Sequence, residues 1–289
     1  MKGIILAGGT GSRLYPLTLA VNKQLLPVYD KPMIYYPICT LFSAGITEIL
    51  IIAGSRELEL YQKLLGTGAQ WGVHFSYALQ ERPDGIAQAL IIAEAFLHAE
   101  HCLLILGDNL FFSAGLGAML HSLKTKEQGA TIFACRVTDA RRYGVVEFNA
   151  AGKVLSLEEK PLQPKSQYAV TGLYQYDEQA VELAKSLKPS ARGELEITDL
   201  NNLYLKAGRL EVKQLERGSA WMDAGTPEAL LDASDYVRIV ESRQGIKIGS
   251  PEETAFKQGF ISREQLLLLA KKLSHSEYGR YLTELAEDA

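Results

Sequence analysis

The chain has 289 residues, of which 47% are hydrophobic and 22% charged, so it can bury a full core and is not a disordered tail. Its 34 acidic and 30 basic side chains give a formal net charge of −4 with no block of like charge. Nothing in it reads as a grip on nucleic acid, and any phosphate must be held locally.

Cys39, Cys102 and Cys135 show no CxxC spacing, which argues against a disulfide scaffold or zinc site and fits a reducing cytoplasm. The opening run Ile4-Ile5-Leu6-Ala7 is too short for a signal-peptide core. No stretch approaches the roughly 18 apolar residues of a membrane span, so no membrane is expected as a partner.

Short aliphatic runs at 3–7, 48–53, 74–78, 101–106 and 131–136 read as strands. Helical stretches at 33–44, 57–65, 86–95 and 116–128 alternate with them, the first with Pro32 at a favourable first-turn position. That rhythm predicts a doubly wound α/β half. Beyond Arg136 the spacing predicts an antiparallel hairpin, 144–148 with 154–158, turning through Asn149-Ala150-Ala151-Gly152. Further strands are expected at 168–176 and 211–215, with helices at 178–186 and 196–207, extending the same sheet. The remainder reads as helical: 227–242, then, after a break at 245–251, amphipathic stretches at 262–272 and 278–287. Trp71, Phe75, Phe111 and Phe112 are taken as packing residues.

The first strand runs directly into Gly8-Gly9-Thr10-Gly11-Ser12-Arg13-Leu14. Three glycines in four positions let backbone N–H groups curl around an anion at the ligand edge of an α/β sheet. A P-loop would need lysine after Gly11, and the dinucleotide fingerprint would need a third glycine where Leu14 stands. A ligand-free strand-to-helix turn stays open. Arg13, as a planar fork, and Lys23, as a point charge, favour a triphosphate.

These residues resemble the sugar-1-phosphate nucleotidylyltransferase family, and within it the glucose-1-phosphate thymidylyltransferases. The resemblance rests on the glycine turn, Lys23-Gln24-Leu25-Leu26-Pro27, Gln80 with Pro83-Asp84-Gly85, Leu106-Gly107-Asp108-Asn109, Tyr143-Gly144-Val145-Val146-Glu147, Glu158-Glu159-Lys160-Pro161, Arg192-Gly193-Glu194-Leu195-Glu196-Ile197-Thr198-Asp199 and Trp221-Met222-Asp223. It implies an α/β fold: a doubly wound mixed, mostly parallel sheet with an inserted antiparallel sugar-binding portion and C-terminal helices. The expected division is 1–242, with a nucleotide part about 1–136 and a sugar part about 137–226, followed by a helical segment 243–289.

The implied reaction is in-line attack of glucose 1-phosphate on the α-phosphorus of dTTP, which demands charge neutralisation and alignment. Arg13, Lys23, Asp108 and Lys160 are the implied catalytic residues, and Asp108 with Asp223 the implied Mg²⁺ ligands. Taken alone, either aspartate reads equally as a turn or cap residue. Gly8, Gly9 and Gly11 would surround the triphosphate. Gln80 would meet the thymine edge, with Gly85 letting the base lie against backbone; a glutamine reads uracil almost as well, since a methyl is worth only about 1–3 kcal/mol.

Glu159, Tyr143, Gly144, Val170 and Glu194 are implied sugar contacts, and Arg192 a second phosphate cation. Neighbours on a strand point to opposite faces, so joint action of Glu159 and Lys160 requires the chain to leave regular strand there. A UTP-dependent enzyme and a non-catalytic sugar-nucleotide-binding subunit are the competing readings. A homotetramer is a further expectation from the resemblance.

Overall fold

The computed structural model describes residues 1–288. In chain order the strands are β1 (Lys2–Leu6), β2 (Pro27–Val28), β3 (Lys31–Pro32), β4 (Glu48–Ala53), β5 (His74–Leu79), β6 (Cys102–Leu106) and β7 (Asn109–Phe112). There follow β8 (Ala130–Arg136), β9 (Gly144–Phe148), β10 (Val154–Glu159), β11 (Tyr168–Tyr176), β12 (Leu210–Gln214) and β13 (Ala220–Asp223). One nine-stranded mixed sheet runs β10-β9-β11-β6-β1-β4-β5, with β8 beside β11 and β12 beside β8. The β6-β1-β4-β5 part is wholly parallel, and β11 joins it antiparallel to β6.

Helices cover both faces, which is why the central strands are apolar at every position instead of at alternate ones. Ile5, Ile49, Ile51, Leu103 and Ile105 face one core with the helix Tyr35–Ser43. Their neighbours Ile4, Leu50, Ile52 and Leu104 face the other, against Gln88–Ile92, Ala180–Lys185 and Ile197–Lys206. The hairpin β9–β10 forms over the expected segments, with a register shift between Val154 and Ser156 and with Gly152 at φ 77° in its turn.

The structure corrects several sequence expectations. Pro32 does not open a helix: it pairs with Pro27 in the β2–β3 hairpin, and the helix starts at Tyr35. The stretch 116–128 stops at Thr125, ending in a 3₁₀ turn. Between the break at 245–251 and the stretch from 262 lies an unexpected helix, Pro251–Lys257, whose cap Ser250 accepts from the Glu253 N–H. Phe111 and Phe112 pack against two core clusters as expected, from β7, which pairs with β13 as a separate two-stranded sheet.

The C-terminal helices belong to the main core. Ala255, Leu266, Leu269, Leu282 and Ala286 pack in the cluster that holds Ile5 and Ile49. A buried ionic knot adds to this joint: Glu241 accepts from Lys31 at 2.8 Å, Lys247 at 2.7 Å and the Ile248 N–H at 2.8 Å. No helix among the described residues is long and apolar enough to cross a membrane.

Candidate active site

A cavity of about 440 Å³ opens at the carboxyl ends of β1 and β6, where a parallel sheet leaves a crevice between diverging loops. At its amino-terminal wall the chain leaves β1 through Gly9 (φ 104°) and Gly11 (φ 59°) into the short turn Ser12–Leu14. Leu14 is buried, so Arg13 beside it is turned into the cavity. Lys23 starts a second 3₁₀ turn, Lys23–Leu25. The Asn22 side chain caps that turn on the Gln24 N–H at 3.0 Å and is itself held by the Tyr61 hydroxyl at 2.6 Å. The cation therefore has a rigid base.

Asp108 follows β6, and its two oxygens have different partners: Lys23 Nζ meets Oδ2, and Asn109 Nδ2 donates to Oδ1 at 3.0 Å. Burial pushes the Asp108 carboxyl up, but the Lys23 charge and these hydrogen bonds outweigh it and hold the group below the usual carboxylate range. Asp223 arrives from 115 residues away along the chain because β13 pairs with β7 in the register Asp223↔Asn109. Both carboxylates line the cavity. Burial first, and then the neighbouring Asp108 charge, raise the Asp223 carboxyl.

Lys23, Arg142 and Arg13 act against the rise at Asp223 without outweighing it. No group of three or more His, Cys, Asp or Glu able to hold a metal occurs among the described residues. Two carboxylates facing an open cavity fit a hard divalent cation that takes its other oxygens from substrate and water.

The opposite wall carries Glu159 and Lys160. The strand β10 ends at Glu159, and Lys160 stands at φ 44°, its N–H donating to the Tyr143 carbonyl at 3.0 Å. This left-handed residue is the departure from strand geometry that joint action requires, and both side chains reach the cavity. Thr198 donates to Glu159 Oε2 at 2.5 Å, and Lys160 Nζ lies 3.3 Å from Oε1. Tyr143, Gly144, Val170 and Glu194 also line this end.

Five expected residues stand outside the cavity walls. Gly8 lies against Gln80, whose Oε1 would be 2.2 Å from a Cβ at that position, and Gly9 precedes the lining residues. Gln80 is buried and donates from Nε2 to Gln88 Oε1 at 2.7 Å. Gly85 faces the Leu195 backbone. Arg192 is bound to Glu196 at 2.7 Å and approaches Glu159 and Glu194, each at 3.4 Å.

The sequence reading missed Arg142, Thr198, Asn109 and Trp221 as lining residues. The last three lie inside recognisable motifs, whereas Arg142 stands next to one and carries no local signal.

With the geometry established, comparison with known proteins decides the family. The nucleotidyl transferase family model matches residues 2–238. The chain belongs to this family. It is 54% identical over 286 residues to a glucose-1-phosphate thymidylyltransferase of Xanthomonas campestris pv. campestris (strain B100), covering 99% of this chain and 97% of that protein. It is also 54% identical over 287 residues to one from Mycobacterium tuberculosis (strain CDC 1551 / Oshkosh), covering 99% of both.

Among solved structures, a Bacillus anthracis protein described as a glucose-1-phosphate thymidylyltransferase, crystallised with a sucrose, superposes at TM-score 0.77 with 46% identity, over 82% of this chain and 95% of that one. A UDP-glucose pyrophosphorylase complexed with UDP-glucose superposes at 0.70 with 26% identity, over 83% and 98%. The chain is a nucleotidyltransferase, a family that typically uses a divalent metal.

Proposed function

We propose that the chain transfers a thymidylyl group from dTTP to glucose 1-phosphate, giving dTDP-glucose and pyrophosphate, with Mg²⁺ as the metal. One observation carries this reading: a single cavity gathers the cations Arg13 and Lys23, the pair Asp108 and Asp223, and Glu159 with Lys160. Its volume of about 440 Å³ lies in the range of about 300–1,000 Å³ usual for small-molecule sites.

The glycine turn and Arg13 take the triphosphate, Arg13 as a two-pronged donor. Lys23 follows the charge of the α-phosphate and keeps Asp108 ionised until then. Lys160 holds the attacking phosphate, while Glu159, its Oε2 already taken by Thr198, accepts from a sugar hydroxyl. The metal, when bound to Asp108 and Asp223, supplies charge stabilisation at the phosphoryl oxygens. Gln80 and Gly85 lie on the β5 side, where the base would stack, and Arg192 steadies Glu159. The protein's own contribution is alignment and fixed charge, which can amount to about 7–11 kcal/mol of a barrier.

Purified protein with Mg²⁺, dTTP and glucose 1-phosphate should release pyrophosphate, and UTP should serve less well. No release sinks the enzyme reading, and equal or better use of UTP sinks the thymidylyl assignment. A cytoplasmic homotetramer completes the proposal; Leu231 and Ile239, exposed on the helix Pro227–Gln244, offer apolar surface for it.

A further inference from the structure

Asn109 is only 2% exposed, and beyond its hydrogen bond to Asp108 the proposed reaction gives it no part. Its Oδ1 accepts from the Trp221 indole N–H at 2.6 Å and from the Gly172 backbone N–H at 3.0 Å. Both are obligate donors, so the carbonyl end of the amide must face them and the amino end must face Asp108. That end donates to Asp108 Oδ1 at 3.0 Å, while Oδ2, the other oxygen, meets the Lys23 ammonium.

Three elements meet at this one amide. Gly172 lies where the β11–β8 pairing shifts register between Val170 and Tyr174, so its N–H is available to a side chain. A Cβ at Gly172 would lie 2.6 Å from Asn109 Oδ1, so the approach excludes any side chain there. Trp221 sits two residues before Asp223 on β13, and its ring packs on Tyr143 at 5.0 Å between centroids. Asn109 thus touches one carboxylate directly and reaches the strand that carries the other.

We propose that Asn109 is a positioning residue that sets the geometry of Asp108 and Asp223 toward their shared cation. This rests on the two-carboxylate reading above. Residues of this kind, which orient the ligands of a metal, commonly govern about 10–100-fold in metal affinity or activity.

The test uses calorimetry on the full chain, comparing dTTP affinity with and without Mg²⁺; the ratio reports how far metal and nucleotide help each other. Asn109→Ala should leave metal-free dTTP affinity within about twofold and cut the gain from Mg²⁺ by about tenfold or more. In turnover, the Mg²⁺ requirement should rise while KM for glucose 1-phosphate stays within about threefold. An undiminished Mg²⁺ gain overturns the proposal, and so does a change confined to KM for glucose 1-phosphate, which would make Asn109 a sugar contact.

If Asn109→Ala does not fold, Trp221→Phe decides. It keeps a ring on Tyr143 but removes one donor, so the Mg²⁺ gain should fall, and an unchanged gain overturns the idea. Asp108→Asn separates the two levels. If it retains the full Mg²⁺ gain, the carboxylate-pair reading fails. If it loses the gain while Asn109→Ala retains it, only the positioning role fails.

Discussion

Gly85→Ala tests whether the turn beneath the nucleotide end and the segment beneath the sugar end are one mechanical unit. A Cβ at Gly85 would lie 2.4 Å from the Leu195 carbonyl oxygen and 2.6 Å from its nitrogen, with φ at +111°. Backbone atoms cannot rotate aside as a flexible side chain can. Two hydrogen bonds close this contact: Leu195 N–H to the Asp84 carbonyl at 2.7 Å and Ala87 N–H to the Leu195 carbonyl at 3.2 Å.

Straining φ costs about 1–2 kcal/mol, and each displaced hydrogen bond about 0.5–1.5 kcal/mol. A loss of about 2–5 kcal/mol is therefore expected in urea denaturation. Gly152→Ala is the internal control, since Gly152 has φ +77° but nothing within 4 Å, so only the strain applies. Leu195 precedes Glu196 and Thr198, which hold Arg192 and Glu159, so Gly85→Ala should also raise KM for both substrates. If it proves no more destabilising than Gly152→Ala, or alters one KM alone, the mechanical coupling is refuted.

Asp223→Asn should abolish most turnover yet stabilise the unliganded protein. The raised carboxyl means that the folded chain holds this proton more tightly than the unfolded chain. Its stabilising contribution is full below the ordinary carboxylate range and is lost as pH rises through the raised value. The variant's melting advantage, about 2–4 °C at neutral pH, should therefore vanish in acid; an advantage that persists at pH 3 contradicts this.

Glu241→Ala leaves Lys31, 3% exposed, with Asp30 as its remaining acid partner and removes the acceptor for Lys247 and Ile248. It should cost about 3–5 kcal/mol in denaturation; a loss under about 1 kcal/mol would show that the knot is replaceable. Lys160→Gly relieves the left-handed strain and should hold or raise the melting temperature while KM for glucose 1-phosphate climbs, and an unchanged KM removes Lys160 from the phosphate site.

Much of this architecture was legible before folding because it is local. The parallel strands announce themselves as continuous apolar runs, since both faces are covered. The glycine turn and the β9–β10 hairpin are written in consecutive residues, and the break expected if Glu159 and Lys160 act together falls at Lys160, φ 44°. The β2–β3 hairpin, two residues per strand, and the helix Pro251–Lys257 were too short to carry a period.

What no stretch of sequence contains is the meeting of Asp108 with Asp223. Strands β7 and β13 have four residues each and no distinctive alternation, and their register is set by contacts made only once the sheet exists. Asn109 illustrates the reason: its amide joins the adjacent Asp108 to Trp221 and Gly172, two partners that the chain brings into reach only by closing loops of more than 60 residues. Residue types and turns were therefore fixed by local chemistry. The meeting of the two carboxylates was decided by packing.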